Sequence, residues 1–324
     1  MLRTRITELL GIEHPIVLGG MGTGTSPALV AAVSEAGGLG VLGATRQAAD
    51  VLSRGVEEIR ERTDRPFGLN LLLFLGSDEQ FDVLLAARPR VLSFAWAWPH
   101  QDLAAYFARA HAAGSLVMHM VSTVAEAQRA ARAGADVIVA QGTEGGGHIG
   151  LMGTLPLVPM VVRAVDPIPV LAAGGVADGR GLAAALALGA EGVLLGTRFL
   201  ATAESPIPDA FKQAIVDSNG HDTLVTELPD VAVGQVWPGA YVRVIRNHFI
   251  DEWAGREGEL RLRQVEVAAR LRQAFADGDR DRAALMVGQT AGLIDSIEPA
   301  GDLVRRIAAD AEAILRQRLP ALLA

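Results

Sequence analysis

The sequence predicts an α/β fold of the (β/α)8 TIM-barrel type, eight parallel strands ringed by helices. Three observations lead there. Short apolar runs bounded by Gly, Pro or Asp recur along the chain, and they are continuous rather than alternating, as strands buried on both faces require. Amphipathic or Ala-rich stretches of helical period separate them. Helix-capping residues open several of those stretches and glycines close them.

The strands are expected at Pro15–Gly19, Gly38–Gly43, Phe67–Leu73, Val91–Ala97, Leu116–Ser122, Asp136–Gly142, Pro169–Gly175 and Gly192–Phe199. The helices between them are expected at Ser26–Ala36, Asp50–Arg62, Asp78–Ala87, Gln101–Ala113, Thr123–Ala133, Leu157–Val165 and Gly181–Leu188. Ser26 before Pro27, Ser77, Thr123 with Glu126, and Asp178 are the starting caps, while Gly37, Gly114, Gly134 and Gly189 are the stops. A doubly wound open sheet is the alternative arrangement of the same elements. The rhythm breaks after Phe199. Residues 204–240 are rich in Pro, Asp and Gly, and residues 241–282 are charged with a helical pattern clearest over Asp251–Arg272. A mainly helical cap insertion over 213–282 is therefore expected after the eighth strand, with 1–212 and 283–324 forming the barrel.

Composition narrows the chemistry. The 324 residues are 50% hydrophobic and 20% charged with a net charge of −8, and no basic stripe marks a nucleic-acid partner. The chain has no cysteine, so disulfides, thiol nucleophiles and thiolate-held metals are excluded. Lys212 is the sole lysine and lies past the last expected strand, a poor place for a barrel Schiff base. The histidines are scattered, without a metal-binding spacing. Neither a signal-peptide core nor a membrane-length apolar run occurs, so a cytoplasmic protein without membrane or nucleic-acid partners is expected.

Active sites of such barrels lie at the C-terminal strand ends. The segment AQGTEGGGHIG, residues 140–150, follows the expected sixth strand. Gly145, Gly146 and Gly147 allow close backbone approach to a bulky ligand, and His148 places an imidazole at the end of the run. A flexible turn that happens to end in His fits this segment alone. Gly19, Gly20, Met21 and Gly22 follow the first strand, Gly174 and Gly175 the seventh, and Gly196 and Thr197 the eighth. The last two pairs match the usual phosphate site of barrels, although each also fits a tight turn. Asn70 and Gln141, each a donor and an acceptor, suit the alternating N–H and C=O edge of an isoalloxazine. Together these residues favour FMN.

The motifs HPIVLGGMG, FGLN, AQGTEGGGHIG, PVLAAGGVADGRG and GVLLGTRFLAT, with GQTAGLI at 288–294, are similar in order and spacing to the nitronate monooxygenase (2-nitropropane dioxygenase) family. The likeness spans about residues 11–204 plus the tail motif. It implies an FMN barrel with His148 as catalytic base. It also implies that Asn70, Gln141, Gly146, Gly147, Gly174, Gly175, Gly196 and Thr197 hold FMN, with the Gly20–Met21–Gly22 loop beside it. The implied activity is oxidation of alkyl nitronates, with neutral nitroalkanes as further substrates, by O2 to carbonyl compounds and nitrite. A related branch, the flavin-dependent enoyl-acyl-carrier-protein reductases, shares the E-x-GGH-x-G run. An NAD(P)H-dependent enoyl-thioester reductase is therefore the alternative enzyme, and a non-catalytic flavin binder the alternative of another class. Retention of Gln141 and the full glycine run argues against the quinone-reductase branch. The partners implied are a small-molecule substrate and O2, and a homodimer is compatible with the sequence.

Several side chains are open to two roles. Glu144 suits bracing the glycine loop or facing solvent. Trp96 and Trp98, expected on one strand face, suit a pocket wall or the core. His119 reads as a satisfied core histidine. Trp237, Tyr241 and Phe249 suit an apolar entrance or packing within the insertion.

Overall fold

The computed structural model describes residues 2–323, so residues 1 and 324, the ends of the expected barrel segments, lie outside it. The strands are β1 (Ile16–Leu18), β2 (Gly40–Gly43), β3 (Phe67–Leu72), β4 (Val91–Ala95), β5 (Leu116–Val121), β6 (Val137–Gln141), β7 (Gly147–Ile149), β8 (Val170–Ala173), β9 (Gly192–Leu195), β10 (Thr223–Thr226) and β11 (Tyr241–Ile245). An 8-stranded parallel sheet runs β1-β9-β8-β6-β5-β4-β3-β2. Its ends meet: the Leu18 N–H donates to Leu39 O at 2.9 Å, and the Leu39 N–H donates to Ile16 O at 3.0 Å. The result is the expected TIM barrel, not an open sheet.

The side-chain alternation of the strands divides two cores. Val17, Val41, Val91, Met118, Val137, Val139 and Leu171 fill the barrel interior. Leu69, Leu71, Leu92, Phe94, Phe107 and Ile138 belong to the layer between sheet and helices. A short helix, Arg5–Leu10, absent from the expected set, brings Ile6 and Leu10 to the interior cluster. Its Thr4 cap forms a reciprocal capping box with Thr7. The last helix, Ala300–Ala313, packs with Pro27–Glu35 and Gly179–Ala187 and so closes the outer ring.

Two expected strands end early. Gly174 and Gly175 have φ of 81° and 75°, which halts β8 at Ala173. Gly196 turns the chain after β9, and Thr197–Leu200 is a helical turn rather than strand. Trp96 and Trp98 likewise lie beyond β4, and Trp96 adopts φ 53°, so the two do not share a strand face.

The segment 213–282 contains the helices Leu228–Val233, His248–Trp253, Glu257–Leu262 and Gln264–Ala276, while the helix Asp209–Asp217 straddles its expected start and packs on Ala177, Ala201 and Leu285. The segment also contains two strands that the expectation of a mainly helical cap over 213–282 misses. β10 pairs with β11, and β11 pairs with β7, all antiparallel. Val242 and Val244 on β11 join Phe249, Trp253, Leu260 and Val267 in a separate apolar cluster. The glycine-run segment is thereby stitched to the insertion, and His148 lies opposite Val242. Among the described residues no helix is long and apolar enough to cross a membrane.

Candidate active site

The residues singled out in the sequence converge at the C-terminal ends of the barrel strands. Leu69 and Leu71 face the helices, so Asn70 between them points into the barrel. Its Nδ2 donates to Ser93 O at 3.3 Å and Ser93 Oγ at 3.2 Å. A Cβ built on Gly20 would lie 2.3 Å from Asn70 Cβ, so this close approach requires glycine. A Cβ on Gly196 would lie 3.3 Å from Met21 Sδ, which places the first and eighth loops side by side. Thr197 Oγ1 accepts from the Gly288 N–H at 3.0 Å. Gly288 in turn packs on the glycine run: a Cβ on Gly146 would fall 2.4 Å from Gly288 N. A Cβ on Gly174 would fall 2.8 Å from Gly142 O. The tail motif thus becomes part of the same mouth, and Gly288 is a member that strand counting overlooks.

Gln141 shares its inward face with Val137 and Val139. Its Oε1 is buried and accepts no hydrogen bond among the described residues. A buried, unpaired carbonyl oxygen costs about 1–3 kcal/mol unless a donor reaches it. The amides of Gly175 and Gly196 likewise donate to no acceptor among the described residues. On its other side Gln141 borders a small cleft lined by Trp96, His119, Met120, Ser122, Arg129 and Pro238 among others, which none of the site glycines reaches. The set offers an amide acceptor, freed backbone donors and a glycine surface without side chains, which is the equipment for a flat, phosphate-bearing heteroaromatic group.

Glu144 braces the loop. Its carboxylate accepts from the Thr154 N–H at 2.9 Å and the Thr154 hydroxyl at 2.8 Å, and Thr154 Oγ1 lies 3.0 Å from Gly174 O. From the other side, Arg243 Nε donates to Thr143 O at 3.0 Å and its Nη1 to Thr223 Oγ1 at 3.2 Å. Burial lowers the pKa of Arg243, and the charge of Glu144 works against that shift.

His148 sits at the rim of this mouth, on β7. Its Nε2 lies 3.0 Å from Asp230 Oδ1 and 3.2 Å from Asp230 Oδ2. The two side chains are 9% and 12% exposed. The indole of Trp237 stacks on the imidazole, centroids 3.3 Å apart and planes 13° apart. Trp237 also meets Phe74 at 4.6 Å and Trp96 at 6.0 Å, so it packs in the mouth rather than only within the insertion. Phe249, by contrast, lies in the insertion's apolar cluster, and Tyr241 is partly exposed on β11. Asp230 was not legible in advance. It is 82 residues from His148, and nothing in its local sequence marks it as a partner.

His119 lies on the outward face of β5 beside Phe107, at 5.6 Å between centroids. It is a core histidine, but its Nδ1 lacks a partner among the described residues, so it is not satisfied. Burial, assisted by the charge of Arg129, lowers its pKa to about 3. Lys212 is buried with Nζ donating to Ala203 O at 3.3 Å, away from the mouth.

A TIM barrel with a glycine-lined mouth and a carboxylate-paired imidazole defines an enzyme, and the relatives of this chain specify its class as oxidoreductase. The nitronate monooxygenase family profile matches residues 3–80 and 74–310, and the chain belongs to that family. It is 37% identical, over 96% of both chains, to the Mycobacterium tuberculosis enzyme named (3aS,4S,5R,7aS)-5-hydroxy-7a-methyl-1-oxo-octahydro-1H-indene-4-carboxyl-CoA dehydrogenase. The solved structure of FabK from Thermotoga maritima matches with a TM-score of 0.89 and 39% identity, covering 99% of this chain and 100% of that one. Nitroalkane oxidase from Streptomyces ansochromogenes matches with a TM-score of 0.82 and 31% identity, covering 98% and 99%.

Proposed function

We propose that this oxidoreductase binds FMN in the barrel mouth and oxidises alkyl nitronates and nitroalkanes with O2 to carbonyl compounds and nitrite. The observation that carries the cofactor is the orphaned Gln141 Oε1, a buried acceptor on a side chain that packs against Gly145 of the glycine run. Asn70 and Gln141 would meet the ring edge, and Gly146 and Gly147 would let the backbone approach its face. Gly174, Gly175, Gly196 and Thr197 would hold the phosphate, with Gly20, Met21 and Gly22 alongside. Bound there, FMN supplies the electron acceptance that no side chain of this chain provides.

His148 handles the proton. For a nitroalkane it removes the hydrogen on the carbon bearing the nitro group, and for a preformed nitronate it orients the anion. Trp237 shields one imidazole face from water. The test is His148→Asn in protein that still shows flavin absorption. Turnover of a neutral nitroalkane is expected to fall by about 10²–10⁴-fold, the usual loss of a general base; undiminished turnover removes His148 from that role.

A second reading has a specific observation behind it: the 37% identical relative is named a carboxyl-CoA dehydrogenase. A hydrogen α to a thioester carbonyl is also a C–H acid, and the same imidazole would remove it. Anaerobic mixing separates the readings. Bleaching of the flavin band by a nitronate supports the first, and bleaching by a saturated acyl-CoA supports the second. Bleaching by NAD(P)H, with oxidation restored by an enoyl thioester, points to the reductase direction.

A further inference from the structure

We infer that Asp230, contributed by the insertion, is the positioning residue for His148, fixing Nε2–H toward itself and leaving Nδ1 as the atom that takes the substrate proton. This rests on His148 being the base. The geometry is specific. Both carboxylate oxygens lie within hydrogen-bond distance of Nε2, at 3.0 and 3.2 Å. An ionised carboxylate only accepts, so the ring nitrogen facing it must carry hydrogen. Nδ1 makes no hydrogen bond among the described residues, and in a neutral ring with hydrogen on Nε2 it is the nitrogen that keeps the lone pair.

Asp230 is placed for this task by two restraints. It occupies the first turn of the helix Leu228–Val233, whose Leu228 and Ala232 are buried in the insertion's apolar cluster. Its own carbonyl accepts from the Gln235 N–H at 2.9 Å, and Gln235 Oε1 accepts from Arg46 at 2.6 Å, beside β2. The carboxylate and the stacked Trp237 act on the imidazole in perpendicular senses. Asp230 sets rotation within the ring plane, and Trp237 sets the plane itself. Neither residue belongs to the barrel, so the barrel alone holds a histidine of undefined tautomer.

The test is Asp230→Asn with the flavin-loaded protein. An amide can present N–H as well as C=O to Nε2, which permits the opposite tautomer. For C–H acid substrates kcat is expected to fall by up to about 10⁴-fold, the loss seen when a base loses its orienting carboxylate. KM is expected to stay within about threefold, since ground-state contacts are unchanged. Asp230→Glu is expected to recover part of the loss. The readout independent of turnover is nitrogen NMR of histidine-labelled protein, with the His148 signal assigned by its loss in His148→Gln. Wild type is expected to show the Nε2–H tautomer, and Asp230→Asn a shift toward Nδ1–H. A wild-type Nδ1–H tautomer, or an unchanged tautomer in Asp230→Asn, overturns the proposal whatever the substrate proves to be. A changed tautomer with unchanged kcat also overturns the positioning role. If no C–H acid is turned over by wild type while the tautomer shifts as expected, the functional reading fails and the assignment of Nε2–H stands.

Discussion

At the scale of single residues, the mouth depends on what glycine omits. A Cβ on Gly146 would stand 2.4 Å from Gly288 N and 2.6 Å from the Val287 carbonyl carbon. Both are backbone atoms, so no rotamer change relieves the overlap and the tail must move. Gly146→Ala is expected to cost about 1–3 kcal/mol, the range for overpacking, and to weaken retention of the proposed FMN because Gly288 is bonded to Thr197. Gly258 makes the opposite case. It lies in the helix Glu257–Leu262, and a Cβ there meets nothing within 4 Å. Gly258→Ala is expected to stabilise by up to about 1 kcal/mol, the helix-propensity difference. Thermal unfolding of the two variants, with bound flavin read by absorbance, checks the pair. Equal shifts would mean that local propensity, not the packing of the mouth, governs Gly146.

At the scale of elements, the barrel was legible and the insertion was only partly so. Strands such as Val91–Ala95 announce themselves because burial on both faces demands continuous apolar runs. The three-residue β7 is invisible by that criterion, since Gly147 and His148 have no strand preference. It is a strand only because β11 pairs with it, and β11 was hidden in a charged stretch with Arg243 at its centre. That arginine shows why the charge is there. It is 6% exposed and reaches across to Thr143 O, tying β11 to the loop that carries His148. The candidate site follows the same division: the glycines, Asn70, Gln141 and His148 could be picked out by type and spacing, whereas Asp230 and Trp237 acquire meaning only through this long-range pairing. Arg243→Met keeps the aliphatic volume and removes both charge-assisted bonds. A loss of about 1.5–3 kcal/mol is expected per such bond to a charged group, with reduced kcat because the His148 loop loosens. Equilibrium unfolding and steady-state turnover measure the two effects. A stability loss with kcat intact would separate the β11 tie from the placement of His148.

At the scale of the whole molecule, the buried groups set how the fold responds to acid. His119 stays neutral in the folded protein down to about pH 3, held there first by burial and then by the charge of Arg129. The unfolded chain protonates the same imidazole near 6.5. Between those values the unfolded state binds the additional proton, so stability falls as pH falls, approaching about 1.4 kcal/mol per pH unit below 6.5. His14 acts in the same direction, its pKa lowered chiefly by burial against the opposing charge of Glu13. Glu298 acts in a lower window. Burial raises its pKa, but the hydrogen bonds from Arg306 and Arg198 outweigh that and hold the carboxyl below 4.5. Its contribution is present above 4.5 and disappears as pH drops through the lowered folded value. His119→Phe, which can pack beside Phe107, is therefore expected to flatten the stability profile between pH 6.5 and 5 by about 2 kcal/mol. Glu298→Gln is expected to leave that interval unchanged and to alter only the profile below it. Denaturant midpoints measured across the pH range decide the matter. An unaltered slope in His119→Phe would mean that the imidazole can take up a proton in the folded state and that its burial does not govern the acid response.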